Sequence, residues 1–360
     1  MGFDIKKFFN DIFAPESGEI ITLLIDLPHG EILDNPMWVE RRKMAKQWRD
    51  NLSKLASYWR LKVNPLVTYL ATGAHNSDLP ALCKMEGKEE NFDTVINGST
   101  IIIAMPEFSC TAPLFLKVKS SKKIRAGSMP GVAKFMEESG LSADYSIIAE
   151  RCKKLGKIFD KAIAAEVEFS TGHQCYFDLP LENPAHLDDG ILHPDRAGTD
   201  SALSNLPAGE VYCVPNENSD SKTEGELPEM RGEKIAVYKV KNNRIIDVKG
   251  EGEDISRLRE KFKQDKAWQN IAEFAIGVNY KAKVTGIVLE DEKAGFHWAY
   301  GRSDHFGGKI GVDSFISPAN VIHNDIVYAK ESPIACKKLE MIFPDNSRQT
   351  LILNGELQVE

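Results

Sequence analysis

Apolar runs alternate with amphipathic stretches through the first part of the chain. EIITLLIDL, residues 19–27, reads as a buried strand. Asn35 followed by Pro36 reads as an N-cap with proline at the first helical position. Behind it, Met37, Met44, Trp48, Leu52, Leu55 and Trp59 fall on one helical face. LVTYLAT (66–72) and TIIIAM (100–105) predict further strands, and Ile148, Cys152, Leu155 and Phe159 line another helix. MGFDIKKFFNDIF at the N-terminus has the pattern of an amphipathic helix. This rhythm predicts an N-terminal α/β domain over residues 1–164, with a largely parallel sheet.

Around Ala165 the period shortens to two. VEFS, CYFDL, EVYCV, IAVYKV, RIIDV and LEMIF predict short strands with turns between them. IAVYKV and RIIDV flank Asn242–Asn243 as a hairpin would. Ile255, Leu258 and Phe262 mark one helix running toward Trp268, and ENSDSKTEGE (217–226) reads as a solvated loop. Residues 165–360 therefore predict an α+β domain with largely antiparallel strands.

With 360 residues the chain is too long for one compact core, which agrees with two domains. A net charge of −8 argues against a nucleic-acid partner. No apolar run is long enough to cross a bilayer, and the N-terminus lacks the apolar core and cleavage site of a secretory signal. The six cysteines are scattered with no CxxC, which suits a reducing cytoplasm and excludes a disulfide framework or zinc ribbon.

The chemistry begins at VIHNDIV, residues 321–327. In a strand His323 and Asp325, two apart, share a face. Such a pair is either a hydrogen-bonded structural pair or two ligands aimed at one ion. Upstream, LEDEKAGFHWAYGRSDHFGG holds His297 and His305 among glycines, with Glu292 five residues before His297 and Gly295 allowing a turn between them. Glu210 opens the apolar EVYCV strand, and Glu273 lies inside apolar IAEFAIGVN. Each glutamate alone reads as exposed. Together with the histidines they read as one site, because an isolated buried carboxylate is costly unless paired or metal-bound.

NLPAGEV, AEFAIGVN, EDEKAGFHWAYG and IHND, in that order, resemble the thermophilic aminopeptidase family of metallopeptidases. The resemblance runs from about Ser170 to the C-terminus, with a weaker match of element order before it. It implies metal ligands at Glu210, Glu273, Glu292, His297, His323 and Asp325. It further implies two divalent ions (zinc, cobalt or manganese), a small peptide substrate cut at its N-terminus, and a homodimer. Four carboxylates would balance two such ions, and a metal-activated water would attack the peptide carbonyl. Glu292 is the candidate proton carrier, with Glu290 and Asp291 as backups. The sequence departs from the family pattern where Asp304 stands at the offset of a tyrosine that stabilises the tetrahedral intermediate; Tyr300 is the candidate substitute.

A related branch, resembling 2,5-dihydroxypyridine dioxygenase, implies a different reading. There His297, His323 and Asp325 would hold one Fe(II) for opening an aromatic ring. Elsewhere, HLDDGILH (186–193) has metal-binding residue types but reads as an Asp-Asp-Gly hairpin turn. RAGSMPG (125–131) reads as a plain turn, and His305 as a residue outside the main site, with a place lining the pocket or behind the ligands as the alternative.

Overall fold

The computed structural model describes residues 2–182 and 184–359. The chain forms two compact units. The first comprises residues 1–149, 188–208 and 280–282; the second comprises 150–187, 209–279 and 283–360. The division thus falls earlier than residue 164, and two later segments return to the first unit. The combination of an α/β layer with antiparallel sheets is the fold class read from the sequence.

The first unit is built on an eight-stranded sheet. The order is Leu203–Asn205, Arg125–Ser128, Ile101–Ala104, Ile20–Leu27, Val67–Leu70, Leu82–Met85 and Lys88–Asn91, with Lys62–Val63 also paired to Ile20–Leu27. The central pairings are parallel and the last two strands add an antiparallel edge. Ile21–Asp26 are all buried, as a parallel strand covered on both faces requires.

Asn35 caps the Pro36–Trp59 helix, its side chain accepting from the Trp38 N–H. The buried stripe runs through Trp38, Met44, Trp48, Leu52 and Trp59, whereas Met37 is 44% exposed. The inward position in the first turn belongs to Trp38, whose indole N–H donates to buried Asp26 at 2.9 Å.

The second unit contains two sheets. An eight-stranded one runs Arg244–Lys249, Lys234–Lys241, Glu224–Arg231, Gln174–Asp178, Ala164–Phe169, Cys336–Ile342, Arg348–Leu353 and Glu356–Leu357, and its resolved pairings are antiparallel. Asn242 and Asn243 both have positive φ, the geometry that the hairpin turn demands. The run expected as a loop at 217–226 ends in strand. Gly225 lies so close to the neighbouring strand that a Cβ would stand 2.4 Å from the Gln174 carbonyl oxygen.

The other sheet has five strands, ordered His186–Asp188, Glu210–Cys213, Ile271–Gly277, Phe296–Gly301 and His323–Tyr328. Phe274, Phe296, Trp298 and Tyr328 pack against Phe169, Phe177 and Tyr238 of the eight-stranded sheet. One face of the five-stranded sheet is therefore an aromatic core. FHWAYG (296–301), read earlier as part of a glycine-rich cluster, is a fully buried strand.

Candidate metal centre

Strand alternation decides what the opposite face carries. The register pairs Glu210 with Gly277, Ala275 with His297, Glu273 with Ala299, Ala299 with Asp325 and Gly301 with His323. Paired residues share a face. Glu210, Glu273, His297, His323 and Asp325 therefore project from four neighbouring strands to one side. The residues paired across from Glu210, His297, Glu273, Asp325 and His323 include the small Gly277, Ala275, Ala299 and Gly301, with Tyr212 and Val327 on the same face. A bulge between Ile271 and Glu273 shifts the register, so that Ile271 faces Tyr300 and Glu273 turns to the ligand side.

Glu273, His323 and Asp325 form the tightest group. One ligand atom from each lies within 4.8 Å of the other two. His323 Nε2 is 2.9 Å from Glu273 Oε2 and 3.4 Å from Asp325 Oδ1. Its Nδ1–H donates to the Arg302 carbonyl at 2.8 Å. A carbonyl only accepts, so this bond assigns a proton to Nδ1 and leaves Nε2 facing the carboxylates, the arrangement that orients a ligand imidazole. Burial opposes a charge on His323, but Asp325 and Glu273 outweigh it and raise the imidazole well above its ordinary value.

Glu210, Glu292 and His297 form the adjoining half. His297 Nε2 stands 3.3 Å from Glu210 Oε2 and 3.8 Å from Glu273 Oε1, linking the halves. Its Nδ1–H donates to the Gly295 carbonyl at 3.3 Å. Burial would lower the ring's affinity for a proton, yet Glu210, Glu273 and Asp325 push it up to about 9. Glu292 is pushed up to about 8: burial drives the shift, Lys293 offsets part of it, and the Glu210 and Asp325 charges add to it.

Between Glu210 and Glu292 lies a residue that the sequence reading did not single out. The Lys293 side chain is fully buried; its ammonium donates to Glu210 Oε1 and, at 2.7 Å, to Glu292 Oε1. Burial raises the Glu210 carboxyl, but the Lys293 and His297 charges overturn that and hold it below the usual range. The backbone explains how a lysine is carried here. The Lys293 carbonyl accepts from the Asn279 N–H at 3.0 Å, and Gly277 N–H donates to the Gly295 carbonyl at 2.8 Å. Gly295 is extended, with φ 179, so its role is not a turn. A Cβ there would meet the Ala329 Cα at 2.8 Å, so the position is reserved for close approach.

The residues fit a divalent cation. Two carboxylates and one oriented imidazole converge, and small residues leave the floor open. Glu210 Oε2 is buried without a hydrogen bond of its own and faces the His297 imidazole at 3.3 Å.

Other candidates fall outside the group. Tyr300 shares its strand with His297 but lies three residues on, so alternation sends it to the opposite face. There it packs among Tyr238, Phe262, Trp268 and Trp298, which removes it as a stabiliser of a reaction on the ligand face. Glu290 is buried, and Asp291 accepts from the Thr285 and Gly286 N–H groups, closing a turn. The His305 ring meets His323 edge-on at 5.1 Å, at the rim of the group.

The residues of 186–193 do not converge on an ion. His186 stacks on Tyr212, Asp189 pairs with Arg196, and His193 Nε2 bonds the Asp11 carbonyl. In the RAGSMPG segment, Arg125 is committed to Glu19 within the first unit. No helix among the described residues is long and apolar enough to cross a membrane.

No protein-family model matches the chain, and no curated protein matches it in sequence. Its structure is similar to that of 2,5-dihydroxypyridine dioxygenase from Pseudomonas putida KT2440, with a TM-score of 0.62 and 15% identity over 99% of this chain and 97% of that one. It is also similar to wild-type AmpT from Thermus thermophilus, with a TM-score of 0.59 and 12% identity over 99% and 98%. The chain thus shares the two-domain fold of these proteins at low sequence identity.

Proposed function

We propose that this protein is a metal-dependent hydrolase of the aminopeptidase type, acting on small substrates with a free amine. The observation that carries the reading is the composition of the tight group: two carboxylates, Glu273 and Asp325, with one imidazole, His323. An oxygen-rich set suits Lewis-acid hydrolysis. A mononuclear iron oxygenase uses two imidazoles and one carboxylate. The second imidazole would have to be His297, whose Nε2 lies nearer Glu210, at 3.3 Å, than Glu273 of the tight group, at 3.8 Å. The AEFAIG and IHND segments resemble the thermophilic aminopeptidase family, whose GEV segment this chain carries in a variant form, NLPAGEVYCVP.

A divalent cation at this group supplies a water that ionises near neutral pH and a Lewis acid for the scissile carbonyl. The protein does the rest. Arg302, through its carbonyl, holds His323 in register. Glu292, beside the Lys293 ammonium that favours its ionised form, would carry the proton from the attacking water to the leaving amine. Lys293 fixes one oxygen of Glu292.

The test is hydrolysis of aminoacyl-anilides by protein loaded in turn with zinc, cobalt, manganese and Fe(II). Cleavage that is lost with chelator and restored with metal supports the reading. No cleavage with any metal, together with oxygen uptake by the Fe(II) form on a dihydroxylated ring, would replace it with the dioxygenase reading.

A further inference from the structure

We propose that the Lys293 ammonium takes the place of a second metal ion, so that the centre holds one divalent cation per chain beside a built-in monovalent one. The inference rests on the reading of Glu273, His323 and Asp325 as an ion cage, and it replaces the two-ion expectation.

The six ligand types of a dinuclear site all reach one face, but not on equal terms. Lys293 Nζ donates to both Glu210 and Glu292, two of the three ligands that would belong to the second ion. An ion ligated by those carboxylates would stand about 2 Å from the same oxygens. That is the region where the ammonium already makes its hydrogen bonds. Ammonium and metal therefore compete for one position, and repulsion between two buried cations in contact sharpens the competition.

The lysine is not a surface arm that has folded inward. Its side chain has no exposure. Its backbone is seated on Asn279 and packed against Gly277, where a Cβ would stand 2.3 Å from the Lys293 carbonyl carbon. A glycine on the neighbouring strand thus makes the room that brings this one cationic side chain to the carboxylates.

The charge count agrees. Glu210, Glu273, Glu292 and Asp325 carry four negative charges when ionised. With both imidazoles neutral, one divalent ion with the ammonium leaves one negative charge, complementary to the ammonium of a substrate's N-terminus. Two divalent ions with the ammonium would leave an excess positive charge that repels it. The arrangement also keeps Glu292 off the metal and available as a proton carrier.

The test is elemental analysis of the full-length protein, saturated with zinc or with manganese and then desalted. The wild type should bind one ion per chain, and Lys293→Met, which keeps an unbranched side chain but lacks the terminal ammonium, should bind two. Glu210→Gln in the otherwise unchanged protein should still bind one. Two ions in the wild type falling to one in Glu210→Gln, or no bound ion at all, would overturn the inference, as would a folded Lys293→Met that still binds one. If Lys293→Met does not fold, the wild-type and Glu210→Gln counts decide. One ion without anilide cleavage would sink the hydrolase reading and leave this inference standing; two ions with cleavage would do the reverse.

Discussion

Lys293 lies against Gly277 backbone to backbone: a Cβ built on the glycine would stand 2.3 Å from the Lys293 carbonyl carbon and 2.4 Å from the Glu292 carbonyl oxygen. Neither contact can be relieved by a flexible side chain. Gly277→Ala must therefore push the Glu292–Lys293 segment away from the sheet. The expected cost is about 1–3 kcal/mol of stability, the usual range for overpacking, read by urea denaturation. Metal affinity should fall as well, by isothermal titration. Unchanged stability would show that the segment is not pinned.

The Glu210–Lys293 pair makes a second prediction. Removing one partner of a buried ion pair strands the other charge, at about 3–5 kcal/mol. Glu210→Ala should be destabilised, by less than that scale because the Lys293 ammonium keeps Glu292, and the loss in the Glu210→Ala, Lys293→Met double variant should differ from the sum of the two single losses. A double-mutant cycle in denaturant measures the coupling. Additive losses would mean that the two side chains do not interact.

His323 is the imidazole of the tight group, held through Nδ1 by the Arg302 carbonyl. His323→Ala should abolish metal retention after desalting and anilide cleavage together, with the far-UV circular dichroism spectrum preserved. Full metal occupancy in this variant would remove His323 from the cage.

Tyr300 provides a control on the opposite face. Tyr300→Phe keeps the ring among Tyr238, Phe262 and Trp268 and should leave kcat and KM within about twofold. Tyr300→Ala opens a cavity in an aromatic core and should cost about 3–5 kcal/mol. A large fall in kcat for the phenylalanine variant, without loss of stability, would restore the tyrosine to the reaction.

At the helix start, Asn35→Ala removes the acceptor for the Trp38 N–H. Loss of such a cap costs about 1 kcal/mol, and Gly at the same position should cost less. Equal stability of Asn35→Ala and wild type in thermal or chemical unfolding would show that the cap contributes nothing.

The parts of the site that were legible in the sequence are those set by strand alternation. His323 and Asp325, two apart, lie on one face as their spacing requires, and Glu273 betrays itself as a charge inside an apolar run. The same rule contradicts the choice of Tyr300, three residues from His297, once FHWAYG is recognised as a strand. Its glycine neighbours and polar flanks concealed that. Lys293 was not legible. Beside Glu290, Asp291 and Glu292 it reads as one more residue of a solvated charged turn. Only the approach of Gly277, sixteen positions away and on another strand, turns it inward. The hydrophobic period also placed the Pro36–Trp59 helix well but misassigned its first turn, where the hydrogen bond from Trp38 to Asp26 decides which side chain faces in.

The division between a strand-borne floor and a turn-borne lysine has an evolutionary consequence. Five of the acidic and imidazole groups are locked by sheet register, so altering any one of them disturbs its neighbours. Lys293 arrives on a short connection and can be exchanged without touching that register. A lineage could thereby change how many ions its active site recruits, and with that its chemistry, by a single codon while the scaffold stayed intact.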